Sequence, residues 1–293
     1  MLTSALSASI LRRGNISTGA FSSADLYAFM DEEIESKLIP LILKNLEEYY
    51  VADLAYNVTA GQGSYGIPTR SIAGKLRDVQ ILSATDPSSI RPLPRLDVTS
   101  LSMGRYGNKS GFYLKGNSVI IYPTPTSTQG ILNLEYYMRP NSCVDPGTCA
   151  VITAIAGSVV TVSSLPTNIT TSTPVDFVKV KPGFECPAID QTITIAAGNV
   201  LTMAVAPPST LSVGDYVCQA TQSCVIQAPL ELLPLLSQYV VVRVMSAQSD
   251  LQAYQQAVAE LTKLEENAQL LIAPRVDGKP KRVTNSRSML RFV

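Results

Sequence analysis

The cysteines are the side chains best suited to chemistry in this sequence. Cys143 and Cys149 are separated by five residues, as are Cys218 and Cys224, and Cys186 lies between the two pairs. Zinc sites usually place paired ligands about two to four residues apart and often recruit histidine. The spacing therefore fits zinc poorly, and buried free thiols are the favoured interpretation. A disulfide between Cys143 and Cys224, which flank the central region, is the alternative, although cytoplasmic synthesis favours reduced thiols at first.

Other potential catalytic features also have structural explanations. Histidine is absent, which removes the commonest general base and a frequent metal ligand. The pairs Glu32–Glu33 and Glu47–Glu48 fall on a predicted helix, where adjacent residues point apart, so a solvated face is expected. The glycines of Gly61–Gly66 lack a preceding buried strand, and Ile67–Pro68 follows where a helix should begin, which indicates a loop. We expect no catalytic residue, cofactor or metal, and a cell-wall hydrolase is only a weak alternative.

Composition favours a globular protein that hides much of its surface in an assembly. Apolar residues make up 46% of the 293 residues and charged residues 16%, which excludes a disordered chain. The 23 basic and 23 acidic residues balance, so there is no overall field to hold a nucleic acid. The N-terminal sequence does not resemble a signal peptide, and no membrane-spanning helix is expected. The length predicts two domains, and the product is expected to stay in the cytoplasm of the cell that makes it.

The N-terminal half is predicted to pass from helix to short strands. Residues 1–50 have helical periodicity, Ser22 and Asp25 resemble a capping box, and Pro40 is expected to kink the helix. Between 51 and 140 the clearest signal is a Gly116-Asn117 connection between two β-rich runs, which predicts a type II′ hairpin. Further strands are predicted at Lys75–Leu82, Leu96–Leu101 and Ile131–Met138.

The central and C-terminal regions differ in pattern. Residues 144–224 are rich in Thr, Val and Ile and alternate apolar with polar residues, which predicts an inserted β-barrel or β-sandwich. Leu230–Ala247 and Asp250–Ile272 predict a helical hairpin. After Pro274 the periodicity stops, and a basic tail with an apolar end follows. We expect this tail to order on a partner's surface rather than to remain disordered or to bind nucleic acid.

Two stretches resemble the head-to-tail adaptor family of tailed bacteriophages. The first runs from Gly111 through "YPTP" at 122–125 to "YYMRP" at 136–140, and the second comprises the last helix and the tail that ends in "SMLR" at 288–291. The resemblance implies an adaptor core of residues 1–143 and 225–273, an inserted β-domain at 144–224, and a portal-binding arm at 274–293. The implied portal contacts of the arm are Arg275, Lys281, Arg282, Arg287, Met289, Leu290 and Arg291.

The resulting fold prediction is α+β: a helical bundle with a long N-terminal helix and a C-terminal helical hairpin, a small β-hairpin region, an inserted barrel or sandwich, and an extended arm. The resemblance implies a structural virion protein of the neck, made in the host cytoplasm and assembled into a ring of about twelve copies. The implied partners are the portal and the tail nozzle or tail fibre proteins, with transient passage of double-stranded DNA and no membrane. The alternative is a nozzle, fibre-attachment or host-recognition protein that acts through the β-insert.

Overall fold

The chain has a mixed α+β fold in a computed structural model that describes residues 1–17, 19–83, 90–99, 110–127, 130–181, 183–184, 186–248 and 251–272. Helices lie at both ends of the described chain, and two open sheets and then a closed six-stranded barrel lie between them in sequence. The mixed fold class is therefore confirmed, and the barrel is the correct choice between the two architectures predicted for the central region.

The N-terminal helices begin where their sequence signals lie. Helix α1 spans Thr3–Arg13, and α2, Ser23–Glu33, continues through a π-helical turn, Ile34–Leu38, into α3, Ile39–Asn45. The capping box is confirmed, because the Asp25 N–H donates to the Ser22 hydroxyl at 3.1 Å and the Ser22 N–H donates to the Asp25 carboxylate at 3.0 Å. The irregularity expected at Pro40 takes the form of the π-helical turn that immediately precedes α3.

The C-terminal helices complete the largest hydrophobic core. A 3₁₀ turn, Leu230–Leu232, leads into α4, Leu233–Gln248, and α5 spans Leu251–Leu271. Helix α4 contacts α1, α2 and α5, and its apolar side chains lie inside the cluster that these helices share. The predicted link Ser249–Asp250 lies outside the described residues.

One described helical segment, Leu230–Gln248, is long and apolar enough to cross a membrane by length and composition. Length and composition alone do not show that it spans a membrane, so the sequence expectation of no membrane-spanning helix is not contradicted. Most of the segment is buried against the other helices, as in the core helix of a globular protein.

Seven strands form two antiparallel sheets in the region after the N-terminal helices. The four-stranded sheet has the order β1-β7-β3-β4, and the three-stranded sheet has the order β2-β6-β5. The strands are β1 (Val51–Asn57), β2 (Ser64–Gly66), β3 (Ser71–Leu82), β4 (Ile90–Pro92), β5 (Gly111–Lys115), β6 (Ser118–Tyr122) and β7 (Ile131–Met138). One cluster of buried side chains, which includes Val119 and Leu134, packs the two sheets together.

The predicted hairpin is confirmed as β5 and β6. Among the two turn residues only Gly116 has a positive φ, +58°, as a type II′ turn requires. The strand predicted at Leu96–Leu101 was wrong over its described part, because residues 96–99 form no strand and the Leu96 N–H instead donates to the Phe112 carbonyl at 2.7 Å. The loop predicted at Gly61–Gly66 was wrong in its second half, where β2 pairs with β6.

The barrel is closed in the order β10-β13-β12-β11-β14-β9. Its strands are β9 (Ala150–Ala156), β10 (Val159–Val162), β11 (Pro174–Val178), β12 (Ala188–Ala197), β13 (Val200–Met203) and β14 (Tyr216–Gln219). Alternating residues such as Val160 and Val162 point inward and fill it. The chain enters the barrel after β8 (Ser142–Cys143) and leaves through β15 (Gln222–Ser223), and these two short strands pair in parallel.

Candidate functional site

The helix that leads towards the predicted arm carries an exposed apolar end. The side chains of Leu270 and Leu271 are 78% and 63% exposed, whereas Ile272 beside them is buried. All seven predicted portal contacts lie beyond residue 272, outside the described residues. Contiguous exposed apolar surface is typical of regions that another protein covers, and these two adjacent leucines are a candidate for such a region.

Helix α5 holds to the core mainly through small residues. Ala257 and Ala268 are its buried residues, and Leu261 and Leu264 pack against the core in part. The Tyr239 hydroxyl donates to the Glu265 carboxylate at 2.8 Å, and burial together with this bond raises the pKa of Tyr239. Because α5 buries little of its surface, much of its length is available to a neighbouring molecule.

Of the paired carboxylates, Glu32, Glu47 and Glu48 are exposed as the sequence predicted, and only Glu33 is buried. The Glu33 side chain is only 3% exposed and lies 2.7 Å from the Lys37 amine and 3.6 Å from the Arg243 guanidinium. Glu48 follows the end of α3 rather than lying on a helix, and it accepts a bond of 2.8 Å from Arg77. Glu33 was mispredicted because Arg243 comes from α4, far away in the sequence. These ion pairs have structural explanations and give no sign of an acid-base site.

A buried ion pair joins the region of β3 to the barrel. Arg70 precedes β3, and its guanidinium donates two hydrogen bonds to the Asp176 carboxylate of β11, one of them at 3.2 Å. The Arg70 side chain is 10% exposed and that of Asp176 is 0% exposed. Two parallel bonds between a guanidinium and a carboxylate fix orientation as well as distance.

Three further donors complete the hydrogen bonding of Asp176. They are the Asn141 side-chain amide at 2.8 Å, the Asp190 N–H at 2.9 Å and the Thr221 N–H at 3.0 Å. These residues are called the junction below: Arg70, Asn141, Asp176, Asp190 and Thr221. They tie the segments before β3 and β8 to barrel strands β11 and β12 and to the residues that follow β14. A carboxylate with this many donors is compensated for its burial, so the junction is a rigid anchor and not a catalytic group.

The five cysteines fall into one cluster and two separate positions, and all are free thiols in the structure. Cys149, Cys218 and Cys224 are buried with their sulfur atoms all within 4.8 Å of one another, and they are called the thiol cluster below. Cys143 lies in the helical core, where its N–H donates to Asp31 at 2.8 Å and burial raises the pKa of its thiol. Cys186 accepts from the Gln227 amide at 2.9 Å, and burial raises its pKa to about 12.

Sequence spacing paired Cys143 with Cys149 and Cys218 with Cys224, and only the second pair shares a cluster. The β14–β9 register, in which Val217 faces Ala150, brings Cys218 beside Cys149. The strand alternation around these residues was visible in the sequence, whereas the pairing of two strands so far apart was not. The junction was missed for the same reason, since Arg70 and Asp176 are 106 residues apart.

The family comparison agrees with the resemblance drawn from the hairpin. Residues 32–172 match the SU10 adaptor protein family. The SU10 adaptor match starts in α2 and includes the hairpin and both open sheets, and it ends after β10 within the barrel. The predicted adaptor resemblance is therefore confirmed. No curated protein matches the chain.

The SU10 adaptor match extends further than the first stretch of the resemblance and does not reach the second. The two stretches that carry the resemblance do not include the central region, whereas the match continues through β9 and β10. The last helix and the arm lie beyond residue 172, so the second stretch of the resemblance remains a prediction. The match supports a structural adaptor protein of a phage virion that associates with other virion proteins.

Proposed function

We propose that this protein is a head-to-tail adaptor that forms a ring of about twelve copies, joins the portal to the tail and lines the DNA channel. The proposal is supported by the SU10 adaptor match together with one structural observation, the exposed apolar end of α5. That end leads directly into residues 274–293, which hold six basic residues and one acid. A helix end of this kind is suited to deliver a basic segment to the surface of a larger protein.

The proposed ring requires each copy to bury surface against two neighbours. Helix α5 is suited to one side of that contact, because Leu251, Leu270 and Leu271 are exposed and its buried positions are few. A closed ring removes such apolar surface from water in every copy, which an isolated chain cannot do. We propose that the core closes the ring. In this division the core comprises residues 1–143 and 225–273, the barrel 144–224 and the arm 274–293.

The balanced charge supports the role in DNA passage. The formal net charge of the chain is zero. Phosphate contacts repeated at every subunit of a ring would multiply into a large barrier to ejection. A channel whose subunits lack an excess of positive charge lets DNA slide without such a barrier, so we propose transient passage and no specific DNA binding.

The arm is tested by mixing the full chain with its portal and imaging the products by negative-stain electron microscopy. We expect closed rings seated on portals with the full chain, and unattached portals when residues 274–293 are deleted. Point variants separate the two kinds of contact: Arg287→Ala with Arg291→Ala removes charge, and Met289→Ala with Leu290→Ala removes the apolar end. Lys115→Ala, an exposed cation in β5, is the matched control. Normal attachment by the truncated chain would refute the role of the arm.

A second candidate function is attachment of a tail nozzle or fibre through the barrel. It is supported by the exposed aliphatic side chains of the barrel, which are Val180, Ile195, Val200, Val205 and Val213. Deleting residues 144–224 separates the two candidate functions. If the protein is the adaptor, the shortened chain still attaches to the portal. If it is the attachment protein, the shortened chain loses its main activity, which is fibre binding. Particle assembly with and without purified fibres measures both.

A further inference from the structure

We infer that the thiol cluster is a binding site for a soft, thiophilic cation, with Zn²⁺ as the ion it would take. The cluster consists of Cys149, Cys218 and Cys224, whose sulfur atoms all lie within 4.8 Å of one another. Thiolate sulfur is the ligand that zinc and other soft metals prefer in proteins. This site is separate from the assembly surfaces of the proposed adaptor and does not depend on ring formation.

The distances are close to those of a formed zinc site. With Zn–S bonds of about 2.3 Å, tetrahedral geometry places two thiolates about 3.8 Å apart. The sulfur atoms of each pair are at most 4.8 Å apart, so they need to approach each other by about 1 Å at most. Small side-chain rotations can provide this movement. Three ligands from the protein leave one tetrahedral position for a water molecule. Cys149 is the member that retains a little solvent exposure, so it marks the open side.

The surroundings favour a metal over a structural disulfide. A disulfide would use two of the three sulfur atoms and leave the third buried beside it, whereas a cation uses all three. The cluster lies among apolar neighbours such as Val178 and Val225, which exclude competing water.

The proton balance of binding is simple. Zn²⁺ displaces the protons of the thiols that are still protonated, and the product carries three thiolates and one zinc ion. The displaced protons pass to solvent, and no oxidant or reductant takes part. Binding therefore requires reduced cysteines, which is the state that the structure holds.

The position of the cluster gives the site a structural role. Cys149 lies just before β9, Cys218 lies in β14, and Cys224 follows β15, so one ion would tie the first strand of the barrel to its last strand and to the segment that leaves it. The Cys224 carbonyl also accepts from the Thr3 N–H at 2.9 Å, which connects the same point to the start of α1. A bound cation would therefore fix the barrel against the helical core.

The test uses the full chain, purified under reducing conditions, loaded with Zn²⁺ alone and dialysed. We expect about one zinc ion per chain by elemental mass spectrometry, and an affinity at least about a hundredfold weaker in Cys149→Ser, Cys218→Ser and Cys224→Ser, because loss of a ligand exceeds the 10–100-fold cost of losing an outer partner. Cys143→Ser and Cys186→Ser are matched controls that keep the cluster. Equal zinc content in the cluster variants and the controls would overturn the proposal.

Measurements on the unsubstituted protein keep the proposal testable if a variant fails to fold. Zinc at a hundredfold excess over its Kd should raise the thermal midpoint by about 5–10 °C, and a chelator should reverse this shift. Co²⁺ in place of zinc should give the near-ultraviolet charge-transfer absorption of thiolate ligands. No thermal shift and no such absorption, or a Cys149–Cys218 disulfide in the freshly isolated protein, would show that the cluster is not a metal site.

Discussion

The junction predicts a large loss of stability when Arg70 is replaced by alanine. The substitution leaves the Asp176 carboxylate buried without its cation, and breaking a buried ion pair in this way costs about 3–5 kcal/mol. Three donors to Asp176 remain, from Asn141, Asp190 and Thr221, so the expected cost lies near the lower end, about 3 kcal/mol. A loss of this size should release the barrel from the core before the barrel itself unfolds.

The assay compares two arginine-to-alanine variants by urea unfolding, followed by far-ultraviolet circular dichroism. Arg77→Ala is the matched control, because Arg77 also pairs with a carboxylate at 2.8 Å, but its side chain is 33% exposed and that of Glu48 is 75% exposed. An exposed pair of this kind is worth about 0–1 kcal/mol. Limited proteolysis should cut Arg70→Ala, and not Arg77→Ala, in the segments that flank the barrel.

A double-mutant cycle tests the cause of the loss. If the uncompensated charge of Asp176 is responsible, Asp176→Asn should restore part of the stability in the Arg70→Ala background, with a coupling energy of about 1–3 kcal/mol. An Arg70→Ala variant within about 1 kcal/mol of the unsubstituted protein would refute the reasoning, since it would place this buried pair among ordinary surface pairs.

Three smaller predictions concern single positions. Ser22→Ala should lower the free energy of unfolding by about 1 kcal/mol in urea titrations, because the Asp25 N–H loses its acceptor; an unchanged midpoint would contradict the capping role. Gly111→Ala should cost about 1–3 kcal/mol by the same measurement, because the added methyl group would collide with the Pro94 carbonyl oxygen and would meet the Leu96 side chain at 2.8 Å; a neutral result would show that this loop gives way freely. Burial raises the pKa of Asp31, so its contribution to stability is present below about pH 4 and is lost as the pH rises through the raised value. We therefore expect the melting temperature of Asp31→Asn, relative to that of the unsubstituted protein, to be higher at pH 7 than at pH 4. A difference between the two proteins that does not change with pH would contradict this expectation.

Features of the fold that depend on near neighbours in sequence were predictable. The Ser22–Asp25 cap and the Gly116-Asn117 turn each need only a few residues, and both were correct. The alternation in Val159–Val162 likewise predicted a strand of a barrel or sandwich, and β10 lies there. These signals come from local hydrogen bonding and from the period of side-chain burial, which one sequence displays directly.

The remaining features depend on contacts between distant segments. Strand β7 was predicted, but nothing in its sequence indicated that it would pair with β1 and β3 instead of extending the hairpin. Glu33 read as a solvated residue because its partner Arg243 is supplied by α4. Cys149 and Cys218 meet only through the register of two barrel strands, so zinc-ligand spacing rules could not find them. Patterns of side-chain type specify elements well, whereas the partners of each element are set by packing.

Strands β8 and β15 run side by side where the chain enters and leaves the barrel, with the Val144 N–H donating to the Ser223 carbonyl at 3.0 Å. Paired strands lie about 4.8 Å apart. Any foreign domain whose two termini are that close can be grafted at this point without stretching the surrounding polypeptide. An engineer can use the same position to display a chosen module, with Arg70 replaced as well, because its partner Asp176 leaves with the barrel.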